Sequence, residues 1–208
     1  MIHARPWLLI GLLVYTVAIR LLPYVLQNCD VKVDPTIIFY PWNFSPLTAV
    51  CLMCGATIVD RRLSFALPLT AMLISNIGIG LLTGRWEWAF PATWWMPYAC
   101  FALAVWMGML LRRRGQRHPL LAAVGMGLGF EVVFFAASNF IYFYGSGSLY
   151  PQTWAGLLDC YAAALPFFRN APLGTLAFTL LLFGPLGVAE PRMASEPSDN
   201  LVPVPSKS

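Results

Sequence analysis

Six apolar stretches, each long enough or nearly long enough to cross a lipid bilayer, divide this chain and leave it little else to fold into. They run about Trp7 to Leu22, Pro46 to Val59 (the shortest), Leu63 to Leu82, Thr93 to Leu111, Leu120 to Tyr144 and Ala171 to Val188. A soluble core of 208 residues cannot hide this much apolar surface. Of the chain 59% is hydrophobic and 11% charged, against about 25% charged in an average soluble domain. The expected class is all-α: a single polytopic membrane domain over residues 1–189 with six transmembrane helices. The polar tail over 190–208, rich in Pro and Ser, is expected to be disordered and cytoplasmic. The first stretch has a basic start at Arg5 but no small-residue cleavage site after it, so it reads as a retained membrane helix.

A seventh apolar stretch, "TWAGLLDCYAAALPFF" from Thr153 to Phe168, carries Asp159 and Pro166 and is followed at once by Arg169, Asn170 and Pro172. A seventh crossing would put the chain ends on opposite sides. The expectation is a short amphipathic or re-entrant helix at the outer surface.

The basic residues set the orientation. Arg5, Arg61, Arg62, the run Arg112, Arg113, Arg114, Arg117, and then Arg192 and Lys207 all fall on one side of a six-span chain. The other side holds Lys32, Arg85 and Arg169, with Arg20 near the end of the first helix. Both termini are therefore expected in the cytoplasm. The outer connections are long, "QNCDVKVDPTIIFYPWN", "TGRWEWAFPA" and "GSGSLYPQ", whereas the inner ones are short and basic. Loops longer than their topology needs usually build or cover a site.

The polar residues inside the apolar runs point the same way. An amide in such a run is costly unless bonded. Ser138 and Asn139 in "VVFFAASNFIYFYGSG", Ser75 and Asn76 in "AMLISNIGIG", Asn43, Ser45 and Thr48 in "PWNFSPLTA", and Arg169 with Asn170 before the last span all fall in the outer half or at the outer end. Tyr142 and Tyr161, with Trp42 and Phe44, add aromatic area. Such residues often serve only helix packing. Their convergence at one depth, under long outer loops, favours a solute-binding cavity opening outward, with the Gln27 to Asn43 loop as a lid. Glu131 shares a helix face with Ser138 and Tyr142 at mid-membrane. An acid there is open between a proton site, a solute contact and a residue bonded within the bundle.

Other motifs read as packing. Gly125-x-x-x-Gly129 suggests a close helix contact. Pro68 and Pro97 are expected to kink their helices. Cys51-x-x-Cys54 lies in an apolar helix without a second ligand pair, so no metal site is expected, and no cofactor either. Cys29 and Cys160 both fall on the outer side. The basic residues do not form a nucleic-acid surface. The two histidines, His3 and His118, sit on the cytoplasmic rim, away from Ser138 and Cys160, so an enzyme is not expected.

The segments "NFSPLTAVCLMCGA" (Asn43 to Ala56), "SNF" (Ser138 to Phe140), "YPQTWAGLLDCYAAALPFFRN" (Tyr150 to Asn170) and "LFG" (Leu182 to Gly184) resemble an uncharacterised bacterial membrane family, domain-of-unknown-function family 6580. Its members are described as transport proteins, and the family looks related to the substrate-binding components of energy-coupling-factor vitamin transporters. The resemblance implies a multi-pass protein of the inner (plasma) membrane that binds a small solute. It also implies, as partners, membrane lipid and an energy-coupling membrane subunit with its ATPases. An Ala-x-x-x-Ala docking pattern, usual in vitamin-transport components, is not clean in "WLLIGLLVYTVAIRLL". The alternative is a non-transporting membrane scaffold or assembly protein whose polar residues serve packing alone.

Overall fold

The structure, a computed structural model, describes residues 5–29, 44–113, 119–145 and 148–186. Over these residues it is helical, with no strand: α1 (Pro6–Asn28), α2 (Leu47–Thr57), α3 (Arg61–Thr83), α4 (Trp86–Ala89), α5 (Trp95–Arg113), α6 (Pro119–Tyr144), α7 (Trp154–Phe168) and α8 (Asn170–Phe183). Helices α1, α3, α5 and α6 are long and apolar enough to cross a membrane; α7 and α8 meet that test together, as a unit bent by 41° at Arg169. The chain is a multi-pass membrane protein on these grounds.

Local chemistry sets several of the boundaries. Asp60 caps α3, its carboxylate accepting from the amides of Arg62 at 2.7 Å and Leu63 at 3.4 Å. The same helix stops at Gly84, whose φ of 68° is the left-handed conformation a C-terminal cap needs. Thr153 caps α7, its hydroxyl accepting from the Gly156 amide at 3.1 Å. Pro6 opens α1 in its first turn, where the missing N–H has no partner to lose.

Helix α1 is longer than its apolar pattern predicts. It continues through Pro23 to Asn28, and the Asn28 side-chain amide donates to the Leu82 carbonyl at 3.0 Å. Contact with α3 outweighs the local penalty of the proline, and Arg20 moves from the expected helix end to about 12 Å inside it. Gln27 and Asn28 are likewise helix rather than part of a lid. The short helix α4 is an element the loop sequence did not announce.

The side-chain pairings fix the helix directions. Arg20 meets Asn76 and Asn28 meets Leu82, so α1 and α3 run parallel. Tyr98, near the start of α5, meets Asn76, whereas Arg112 at its other end donates from Nη1 to the Ile58 carbonyl, so α5 is antiparallel to α3. Helix α8 runs against α6, with Thr175 beside Glu131 and Gly127. One end of the bundle carries Asp60, Arg61, Arg62 and Arg112 and is the basic end. The other, where α1, α3 and α6 finish, is the distal end.

Helix α2 is the centre of the bundle. Every residue from Leu47 to Ala56 is buried, and the helix packs on α1, α3, α5, α6 and α8. Its 11 residues rise only about 16 Å, roughly half of a hydrocarbon core. The closest crossing is between α2 and α5. A Cβ built on Gly55 would lie 2.0 Å from the Val105 carbonyl oxygen, and one on Gly108 would lie 2.2 Å from that of Leu52. The Gly125-x-x-x-Gly129 expectation is corrected here. Both glycines face open space, and the packed glycine of that segment is Gly127, where a Cβ would meet Thr175 at 2.8 Å.

Candidate functional site

Glu131 lies mid-way along α6 and is buried against α2 and α8. Its Oε1 accepts two hydroxyl bonds, from Thr48 at 2.7 Å and from Thr175 at 2.5 Å. Thr48 is the second residue of α2, so the carboxyl group sits at that helix's N-terminal turn, where partial positive charge favours it. The chain entering α2 runs against α8 at Gly174, where an added Cβ would touch the Phe44 and Ser45 backbone at 3.4 Å. The Ser45 hydroxyl accepts from the Leu47 amide at 3.3 Å. One turn along α8 from Thr175, the buried hydroxyl of Thr179 has no hydrogen-bond partner among the described residues. An acid, hydroxyls from two other helices and an unspent hydroxyl thus meet where a half-length helix joins a bent one.

A second polar centre lies between α1, α3 and α5. Arg20 donates from Nη2 to Asn76 Oδ1 at 2.7 Å, and the Asn76 amide nitrogen donates to the Tyr98 hydroxyl at 3.2 Å. A guanidinium has five N–H donors in a planar fork. The titratable groups that act on Arg20 are the phenols of Tyr98 and Tyr24, and no carboxylate pairs with it among the described residues. Insertion scales put the penalty of an arginine at about 2.5–3.5 kcal/mol at the centre of a membrane helix and less towards its ends, and among the described residues Arg20 bonds only to a neutral group. Aromatic rings crowd the distal side: Tyr24 and Trp88 at 6.5 Å, Trp94 and Tyr98 edge to face at 5.7 Å, and Trp86 laid against Gly80.

Several of the other residues singled out by the sequence bond to backbone carbonyls among the described residues. The Ser75 hydroxyl donates to the Met72 carbonyl of its own helix at 2.8 Å. Ser138 and Asn139 both donate to the Phe135 carbonyl, at 3.2 Å and 2.8 Å. Tyr161 donates to Ala136 at 2.7 Å and ties α7 to α6. Tyr142 and Arg169 are exposed, Asn170 is buried at the start of α8, and Asn43 and Trp42 lie outside the described residues. Phe44 packs on Phe178, ring centroids 5.1 Å apart. Helix α3 packs on α1, α2, α4 and α5, and α6 on α2, α5, α7 and α8. Both helices pack on α2 and α5, and among the described residues no hydrogen bond joins Ser75 or Asn76 to Ser138 or Asn139.

Sequence alone did not single out Tyr98, and it paired neither Thr48 and Thr175 with Glu131 nor Arg20 with Asn76. A mid-membrane acid calls for donors at its own depth, and that signal would have pointed to Thr48 and Thr175. Cys51 and Cys54 are buried and free on α2, no metal-ligand cluster occurs among the described residues, and Cys29 and Cys160 are unbridged. The Cys160 thiol lies 3.9 Å from the Asn139 carbonyl. His3, His118 and the tail lie outside the described residues.

The model of a family of unknown function, DUF6580, matches residues 1–198, and the chain belongs to that family. No curated protein and no solved structure matches it.

Proposed function

We propose that this chain is a membrane transport protein that takes up a small solute from the distal side of its bundle. The observation that carries the reading is the Glu131 centre. A carboxyl group buried at mid-membrane, held by hydroxyls of two other helices at the junction of half-length α2 with the bent α7–α8 unit, is the arrangement transporters use to change conformation around a bound solute or proton. A resemblance to substrate-binding components of multi-subunit vitamin transporters agrees with this role. On that reading, energy comes from a separate membrane subunit with ATPases, or from a proton on Glu131.

The helix directions support six crossings, with the short α2 as the second and α7–α8 as the sixth. Both termini then fall at the basic end, which the arginine distribution assigns to the cytoplasm, in the inner membrane. A second reading, a scaffold without transport, is favoured by Ser75, Ser138, Asn139 and Tyr161, whose side chains all bond to backbone carbonyls within the bundle.

The deciding experiment is a thermal-shift screen of purified protein against vitamins, nucleobases and small organic acids, followed by uptake of hits into proteoliposomes. A ligand at a hundred times its Kd stabilises the fold by about 2.7 kcal/mol. The transport reading expects a hit whose uptake is lost in Glu131→Gln while the variant stays folded. Hits that bind without being taken up, or no hit from a screen that includes organic acids, favour the scaffold, whereas uptake indifferent to Glu131 would move the solute site away from this centre.

A further inference from the structure

The Arg20 centre has a geometry of its own, and it continues inward. On α1, Leu13, Val17 and Arg20 follow at spacings of four and three, so they share a face. Between α1 and α3 that face borders an apolar groove of about 300 Å³ lined by Leu13, Val14, Val17, Leu67, Thr70 and Ile74. The groove stops about one turn short of Arg20 on α1 and just short of Asn76 on α3. Its volume is at the lower end of small-molecule sites. Val14 and Ile74 are well exposed, at 64% and 52%, so the groove opens sideways, towards lipid.

We propose that this is a binding site for a small amphipathic carboxylate, its head on Arg20 and its apolar body in the α1–α3 groove. Charge decides the head. Arg20 is a single cation with no carboxylate partner among the described residues, and Asn76 occupies one of its five donors. A carboxylate balances the charge one to one and matches the guanidinium fork, whereas a phosphate dianion asks for more positive charge than the site holds. The direction follows from the parallel helices: head towards the distal end, body towards the membrane centre, with Tyr98 and Tyr24 beside the head. The site deepens the transport reading by naming its solute class, and it rests on that reading only for the steps after binding.

The test uses full-length protein in phosphatidylcholine nanodiscs, with laurate as probe and methyl laurate as its uncharged counterpart. Melting temperature and tryptophan fluorescence are read, Trp88 and Trp94 being close to the head. Wild type should show a saturable response to laurate and none to the ester. Asn76→Asp sets a carboxylate where the amide oxygen stands, 2.7 Å from Arg20 Nη2, and should weaken laurate by about tenfold or more while melting no lower than wild type. Arg20→Lys should retain weaker binding. Equal responses to laurate and its ester, wild-type binding by Asn76→Asp, or no laurate response at all would overturn the proposal. Nanodiscs doped with phosphatidylglycerol form the second arm: Arg20-dependent retention of that lipid, with laurate excluded, would replace the solute by a bilayer lipid and overturn the ligand assignment. Laurate binding that survives Glu131→Gln, together with no laurate uptake by the wild type in proteoliposomes, would leave this site standing and remove the transport reading.

Discussion

Replacing Gly108 by alanine tests the centre of the fold. The added methyl would stand 2.2 Å from the Leu52 carbonyl oxygen and 2.9 Å from its carbon, where ordinary contact begins near 3.4 Å. Backbone, not a flexible side-chain end, is in the way, so α2 and α5 must part by about 1 Å. Helix α2 has nowhere to go, being packed on α1, α3, α6 and α8 as well. A gap of that size forfeits about a quarter to a half of the dispersion attraction along the crossing. Overpacking a tight core typically costs about 1–3 kcal/mol, and this case belongs at the top of that range. By the scaling of soluble proteins of this length, about 3 kcal/mol lowers the melting temperature by about 6–12 °C. The assay is a fluorogenic maleimide melt in a background with Cys29→Ser, Cys100→Ser and Cys160→Ser. Those changes leave Cys51 and Cys54, buried on α2 itself, as reporters. Gly125→Ala and Gly129→Ala are the controls. Neither Cβ meets anything within 4 Å, and each gains up to about 1 kcal/mol of helix propensity, so both should melt at or above wild type. A Gly108→Ala melt within 2 °C of wild type, or equal harm from Gly125→Ala, would refute the packing argument, the 2 °C limit being about one-third of the smallest expected shift.

The Glu131 centre gives a matched pair of variants. Thr175→Val keeps the shape but removes one of two hydroxyl bonds to the acid, and should cost about 0.6–1.7 kcal/mol, the range measured between membrane helices. Thr179→Val removes a buried hydroxyl with no partner among the described residues and should melt at or above wild type. The reverse order in a maleimide melt would place the working hydroxyl at Thr179. Tyr161→Phe removes the 2.7 Å bond to the Ala136 carbonyl and should speed amide exchange in α7 while leaving α2 and α5 unchanged. Unchanged exchange in α7 would mean that its ring contacts with Phe135, at 5.7 Å from Tyr161 and 4.5 Å from Phe168, hold it alone.

Apolar length carried most of the fold, since the third stretch, Leu63 to Leu82, became α3 (Arg61–Thr83) and the fifth, Leu120 to Tyr144, became α6 (Pro119–Tyr144). The α1 boundary failed because it was set at Leu22 by the apolar run, whereas the helix continues through Pro23 to Asn28, whose side chain bonds to α3. Depth was legible in the same way, but rotation about each axis was not. Ser138 and Asn139 do sit on the distal half of α6, yet nothing in their spacing says that both turn back to the Phe135 carbonyl, which any Ser or Asn at the third or fourth residue beyond can reach. The glycine pattern failed for the same reason: a four-residue spacing defines a face, not the face that meets a neighbour, and Gly127 is the one that does. The pairs that matter, Thr48 with Glu131 and Arg20 with Asn76, are 83 and 56 residues apart and exist only through packing.

Those two pairs also bear on the choice between transporter and scaffold. Glu131 and Arg20 each bond to neutral groups in a different helix interface, Glu131 to Thr48 and Thr175 and Arg20 to Asn76, whereas Asp159 and Arg169 on the α7–α8 unit are exposed. A scaffold would gain by pairing the two charges or by replacing both with apolar residues of similar volume, because a buried ion pair seldom beats good packing and an isolated buried charge is worse than either. Keeping them in separate interfaces leaves the arginine, with no carboxylate partner among the described residues, able to accept a counter-ion from outside the chain. That capacity does not help hold helices together, and it is of use to a protein that binds an anionic solute and then changes state around it.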